Sequence, residues 1–378
     1  MNTYTRLIEK QIINDLFKQK AIIIYGPRQV GKTTLVKQIM ESLKEKSLYL
    51  NCDEIDVRQS LEKKTSTQLK SLIGNAKVVV FDEAQRVESI GIVIKLLVDK
   101  YKDIQVIATG SSSFDLALGT RESLTGRYFE YNLYPLSEEE LASQESNLDL
   151  KRRLEEKMLY GLYPEVCTQE NIEDKIRRLA DITNSYLFKD ILNLVNIRGS
   201  NTLYELLQLL ALQIGNEVSY SELAIKLEID KETVKRYIDL LEKTFVIFRL
   251  RAFSRNLRSE INRNVKVYFY DLGIRNSILN NFNTLDTRTD KGGMFENYII
   301  AERVKYNTYN RNLVNCYFWR TYNMQEIDYI EEANGMLSPV EIKWSKLKAK
   351  MPKSFIGNYN SAELRVVNSD NYLEFVKG

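Results

Sequence analysis

From about residue 21 to 114, short uninterrupted apolar runs alternate with longer stretches whose apolar positions recur every three or four residues. The runs are Ala21–Tyr25, Ser47–Asn51, Val78–Phe81 and Gln105–Thr109. Such runs, lacking polar alternation, predict central strands of a parallel sheet covered on both faces. Between them, Lys32–Lys44, Asp56–Leu72 and Ile90–Tyr101 have helical length and spacing. Strand and helix in alternation predict βαβ units, hence a doubly wound α/β sheet.

The texture changes after Tyr134-Pro135-Leu136-Ser137. Ser137 with Glu140 three residues on reads as a capping box, and helical segments follow to about residue 213. From Glu217 to Ile274 the order is helix, turn, helix, strand, strand. Ser219-Tyr220-Ser221-Glu222 opens the first helix, and Asp230 caps the second over Lys231–Lys243. Val234, Ile238, Leu240 and Leu241 form its inward stripe, and runs Phe245–Leu250 and Val265–Tyr270 follow. This is a winged-helix pattern. The polar stretch Asn280–Lys291 reads as a linker, and from 291 to 378 a helix is followed by strands.

Composition narrows the chemistry. A chain of 378 residues exceeds one comfortable core, so two or three domains are expected. The chain has no histidine, which excludes Ser-His-Asp and Cys-His triads and any His-ligated metal. Cys52, Cys167 and Cys316 are too scattered for a metal motif or a disulfide framework, which fits a reducing cytoplasm. No apolar stretch approaches a membrane span, so no membrane partner is expected. A net charge of +3 carries no argument for nucleic acid, which would need a local basic patch.

Gly26-Pro27-Arg28-Gln29-Val30-Gly31-Lys32-Thr33 fits G-x-x-x-x-G-K-[ST] between a strand and a helix. The two glycines let backbone N–H groups turn toward phosphate oxygens, and the helix N-terminus adds partial positive charge. Lys32 is expected on the β- and γ-phosphates, Thr33 on Mg²⁺ and Thr34 near the α-phosphate; the role of Arg28 is unreadable. The apolar strand ending in Asp82-Glu83 supplies the acids: Asp82 for the Mg²⁺ shell, Glu83 to polarise the attacking water. ATP and Mg²⁺ are therefore the expected cofactors of an ATP hydrolase. Polar residues of Gly110-Ser111-Ser112-Ser113 stand at a third strand tip, to sense the γ-phosphate or simply to form a turn. Arg127 reads either as transition-state charge, in cis or in trans, or as half of a surface ion pair.

Tyr25–Thr34, Phe81-Asp82-Glu83-Ala84-Gln85 and Ala108-Thr109-Gly110-Ser111-Ser112-Ser113 resemble the AAA-superfamily ATP-binding proteins of bacteria and archaea. Leu124-Thr125-Gly126-Arg127 and Leu133–Ser137 resemble further stretches of that family. The resemblance implies ATP binding, a helical lid and a C-terminal domain of unknown function. The expected division is an AAA-type P-loop core over 1–136, a helical lid over 137–213 and a winged helix over 214–280. A restriction-endonuclease-like α/β domain over 291–378 completes it.

The outer segments carry weaker chemistry. Lys231, Lys235 and Arg236 lie on or near the exposed side of the second helix. Arg249, Arg251, Arg255, Arg258, Arg263 and Lys266 face only Glu260, a local excess that suits DNA phosphates or a solvated face. In the last segment, Asp328 on one strand and Glu341-Ile342-Lys343 on the next resemble a restriction-endonuclease-like site. The two-residue strand period puts Glu341 and Lys343 on one face and Ile342 in the core. Asp328 and Glu341 would share a Mg²⁺, Glu296 would complete the acidic cluster, and Lys343 would orient water. Two functions follow: an ATPase coupled to nucleic-acid binding or processing, or a nucleotide-dependent switch on a protein partner without cleavage. Homo-oligomer formation stays open.

Overall fold

The computed structural model describes residues 4–111, 124–184, 200–254, 265–321, 323–345 and 348–377. It comprises two compact units. One contains Thr5–Tyr134 and Lys243–Phe245; the other contains Met1–Tyr4, Pro135–Glu242 and Val246–Gly378.

The first unit is built on β1 (Ala21–Tyr25), β2 (Ser47–Asn51), β3 (Val78–Asp82), β4 (Gln105–Gly110) and β5 (Tyr128–Asn132). They form one sheet in the order β2-β3-β4-β1-β5, and every pairing is parallel. Strands β1, β3 and β4 are buried at every position, which is why their sequences are unbroken apolar runs. Helices α1 (Leu7–Asp15), α2 (Lys32–Ser42), α3 (Ile55–Leu61), α4 (Ser66–Ile73) and α5 (Ile90–Lys100) complete the unit. Ile23, Val79, Phe81 and Val106 of the sheet share one core with Leu69 of α4 and Ile94 and Leu97 of α5. Because all strands run the same way, their carboxyl ends gather on one edge. In open α/β sheets that edge is where ligands bind.

The second unit holds β6 (Glu217–Val218), β7 (Ile247–Ala252), β8 (Val265–Phe269), β9 (Asn315–Arg320), β10 (Glu326–Ala333), β11 (Met336–Ile342) and β12 (Arg365–Val367). These form a single sheet in the order β12-β11-β10-β9-β7-β8-β6. The join is β7 with β9, parallel at Arg251↔Tyr317 and Ala252↔Phe318. The sheet therefore runs without a break through both segments that the sequence divides at 280–291. Phe253, Trp319, Ile327, Ile330, Leu337 and Phe355 form a core on its C-terminal part.

The capping box at Ser137 is present: Glu140 N–H donates to Ser137 Oγ at 3.2 Å, and Ser137 N–H donates to Glu140 Oε2 at 3.1 Å. The stretch Asn280–Lys291, expected as a linker, is partly packed against its neighbours. Leu285 is buried there. Asp290 pairs with Arg275 at 2.6 Å and with Arg288 at 2.8 Å, both arginines being almost fully enclosed.

Candidate nucleotide site

The loop between β1 and α2 is shaped by its two glycines. Gly26 has φ 155°, and a Cβ there would lie 2.1 Å from the Leu133 carbonyl oxygen, so no side chain fits. Gly31 caps α2 in the left-handed region, φ 95° and ψ 24°. Gln29 is also left-handed at φ 59°, and its Oε1 is buried with no partner among the described residues. Val30 is fully buried and Thr34 is exposed.

Lys32 starts the helix with its side chain 96% enclosed, since only 4% is exposed. Its ammonium donates to the carbonyls of Gly26 at 2.8 Å and Pro27 at 2.9 Å, across the mouth of the loop. Thr33 Oγ1 donates to Asp82 Oδ2 at 2.7 Å, joining the loop to the end of β3. Tyr49 OH donates to the same oxygen, and Thr109 Oγ1 donates to Oδ1. Burial and the Asp82 hydrogen bond push the Tyr49 phenol well above its ordinary range, so it remains a donor. Glu83 follows in a left-handed conformation, φ 52°. Its N–H donates to Thr109 Oγ1 at 3.1 Å, and its Oε2 accepts from Gln85 Nε2 at 2.5 Å. A non-glycine residue held there stores strain, of the kind that clusters at working sites.

This donor set fits Mg²⁺: the Thr33 hydroxyl and the Asp82 carboxylate are hard oxygens on adjacent elements. Sequence reading missed Tyr49, Thr109 and Arg6, because their bonds depend on strand order. Arg6, at the start of α1, donates to Val30 O and Tyr134 O, each at 2.6 Å. Ser111 is buried; Ser112 and Ser113 lie outside the described residues.

Of the readings open for Arg127, the structure shows the surface ion pair and not a place beside the phosphate loop. The Arg127 carbonyl accepts from Ala21 N–H at 2.9 Å, at the amino end of β1. The phosphate loop leaves the carboxyl end, a strand's length away, roughly 15 Å. Its guanidinium pairs with Asp99 at 2.7 Å. A role in cis is excluded by the direction of the sheet.

In the second unit Lys343 contacts both Asp328 Oδ2 at 2.9 Å and Glu341 Oε1 at 3.0 Å. Ile342 is buried between them in sequence, and its N–H donates to Asp328 at 2.8 Å. Glu296 accepts from Lys266 at 3.0 Å and from Tyr268 OH at 2.6 Å. Lys266 also reaches Glu326, on the same strand as Asp328, at 2.5 Å. Burial pushes the Glu296 carboxyl up to about 7; Lys266 opposes the shift and Asp328 adds to it. Burial, with Asp328 beside it, also raises Glu341. Among the described residues no group of three or more acidic or cysteine side chains is arranged to hold a metal ion.

Two residues expected in the basic patch are not free to meet phosphate. Lys266 is 1% exposed and held by its acids. Arg249 pairs with Asp239 at 2.7 Å and with Glu242. Arg251 is exposed, and Arg255, Arg258 and Arg263 lie outside the described residues.

Residues 18–142 match the family model of an AAA domain. Residues 151–285 and 291–377 match two models each described as a domain of unknown function. The AAA match supports ATP binding by the first unit. An uncharacterized protein of Mycobacterium tuberculosis is 26% identical over 331 residues, covering 87% of this chain and 71% of that one. An uncharacterized protein of Haemophilus influenzae is 26% identical over 274 residues, covering 67% and 68%. Among solved structures, a Walker-type ATPase of Pyrococcus abyssi aligns with TM-score 0.49 and 16% identity, over 73% of this chain and 96% of its own. No described helix is long and apolar enough to cross a membrane.

Proposed function

We propose that the chain binds ATP with Mg²⁺ at Gly26–Thr34 and hydrolyses it. The observation that carries this reading is the Thr33–Asp82 contact, with Tyr49 and Thr109 holding the same carboxylate. When bound, the metal would neutralise phosphate charge. Backbone N–H groups of the loop and the amino end of α2 would receive the phosphates. Lys32, which donates to the Gly26 and Pro27 carbonyls at the loop, would turn its ammonium to the β- and γ-phosphates. Glu83, anchored by Gln85, would orient the attacking water and take its proton. Lys32→Ala is expected to weaken ATP binding by about a hundredfold. Equilibrium dialysis with labelled ATP reads this directly; unchanged affinity would refute the site.

Coupling of turnover to nucleic acid rests on the segment over 214–280. Lys231, Lys235 and Arg236 are exposed on the helix Lys231–Lys243. The alternative is a nucleotide-dependent switch that regulates a protein partner without cleavage. Lys343 meets Asp328 and Glu341 as a nuclease-like site would have it. Glu296, however, is held by Lys266, and no group of three or more acids among the described residues is arranged for a metal ion, which favours that alternative over a nuclease. ATP turnover with and without single- and double-stranded DNA separates the two. Stimulation supports coupling to nucleic acid; a rate that ignores DNA, with an ATP-dependent change in assembly, supports the switch.

A further inference from the structure

The buried arginine ahead of α1 has no role in the chemistry above. We propose that Arg6 is a positioning residue for ATP binding, setting the orientation of the Val30–Gly31 peptide in the phosphate loop. The inference rests on the reading of Gly26–Thr34 as the ATP site.

Arg6 is only 5% exposed, and an arginine is seldom so enclosed unless its donors are satisfied. One arm of its guanidinium donates to Val30 O and the other to Tyr134 O, both at 2.6 Å. The side chain also approaches the glycine itself, 3.8 Å from where a Gly31 Cβ would stand. A trans peptide is a rigid plane whose C=O and N–H point in opposite directions. Fixing the Val30 carbonyl on Arg6 therefore turns the Gly31 N–H the other way, away from the guanidinium. Gly31, at φ 95°, lacks the Cβ that would otherwise resist rotation of this peptide. An external clamp is the physical alternative, and Arg6 supplies it.

The second arm makes the clamp a brace. Tyr134 directly follows Leu133, whose N–H donates to Tyr25 O at 2.8 Å and whose carbonyl closes over Gly26. Both ends of the loop, Gly26 and Val30, are thus referred to the segment Leu133–Tyr134. Arginine suits this task because its planar fork carries several donors in fixed geometry, whereas lysine offers a point charge on a flexible stem.

The test measures ATP affinity, turnover and melting temperature for the full chain with Arg6→Gln and Arg6→Lys, with Lys32→Ala alongside. Arg6→Gln is expected to lose about tenfold in ATP affinity while turnover at saturating ATP stays near normal. Arg6→Lys should fall between the two proteins. A merely structural arginine would lower the melting temperature and leave the affinity of the folded protein untouched, and that result overturns the proposal. Should neither variant fold, amide exchange at Gly31 in the unmodified protein decides. Slowed exchange on adding ATP is expected; unchanged exchange overturns it. A wild-type protein with no ATP affinity would instead refute the reading of the loop, whatever Arg6 does.

Discussion

The two clusters of charge in this chain are built on opposite plans. At the end of β3, Asp82 is held by three hydroxyls, those of Thr33, Tyr49 and Thr109. In the second unit, Asp328 and Glu341 share Lys343, and Glu296 and Glu326 share Lys266. Hydroxyl donors orient a carboxylate without cancelling its charge, so it can still attract a cation. A lysine partner cancels it. A cluster of acids is therefore not by itself a metal site; what decides is whether its partners are neutral or charged.

The largest expected effect is on turnover. Glu83→Gln keeps the shape and the Gln85 contact but removes the base, so turnover should drop about 10²–10⁴-fold with ATP binding retained. Single-turnover kinetics with a nucleotide-binding assay check both halves. Wild-type turnover would break the first side of the comparison.

Next in size is the lysine that neutralises the second cluster. Lys266→Met leaves Glu296 and Glu326 facing each other without the buried ammonium between them. Breaking a buried pair from one side costs about 3 kcal/mol or more, read by urea denaturation. ATP affinity should be unaffected. Loss of ATP binding without loss of stability would contradict the division of labour drawn here.

A smaller effect depends on pH. The folded-state Glu296 carboxyl titrates at about 7 against an ordinary 4.5, so the folded state holds its proton more tightly than the unfolded chain. Its stabilising contribution is full below about 4.5 and is lost as pH rises through about 7. Glu296→Gln should flatten that part of the stability profile relative to wild type. Parallel profiles would mean that Lys266 and Tyr268 already keep the carboxylate charged.

Much of the first unit is legible in sequence because its signals are local. Ala21–Tyr25 and Ser47–Asn51 stand in the structure with the bounds their apolar runs predict. The same holds for the helix Lys231–Lys243. What sequence cannot show is which strand ends meet. Tyr49 reaches Asp82 because β2 pairs with β3, and Thr109 because β4 does. Arg6 reaches a carbonyl 128 positions away. Lysines and arginines mislead for a related reason: Lys266 and Arg249 look like surface charge until their acids, from other elements, are placed beside them.

The finest test concerns one hydroxyl. Tyr49→Phe removes a single donor from Asp82 Oδ2, the oxygen that also accepts from Thr33. A hydrogen bond to a charged group contributes about 1.5–3 kcal/mol when its partner is left bare, but Thr33 remains on the same oxygen. The expected loss of stability is therefore near the lower end, about 1.5 kcal/mol. The more telling readout is the Mg²⁺ requirement for turnover. If the tyrosine merely fills space, the dependence stays as in wild type. If it holds the carboxylate in the orientation that a cation needs, half-saturation should move to several-fold higher Mg²⁺. The shift should vanish when stability alone is restored by a distant stabilising change. The matching hydroxyl of the second unit, Tyr268 on Glu296, offers the control. Removing it should alter stability and leave the Mg²⁺ dependence where it was, since its carboxylate already faces a lysine.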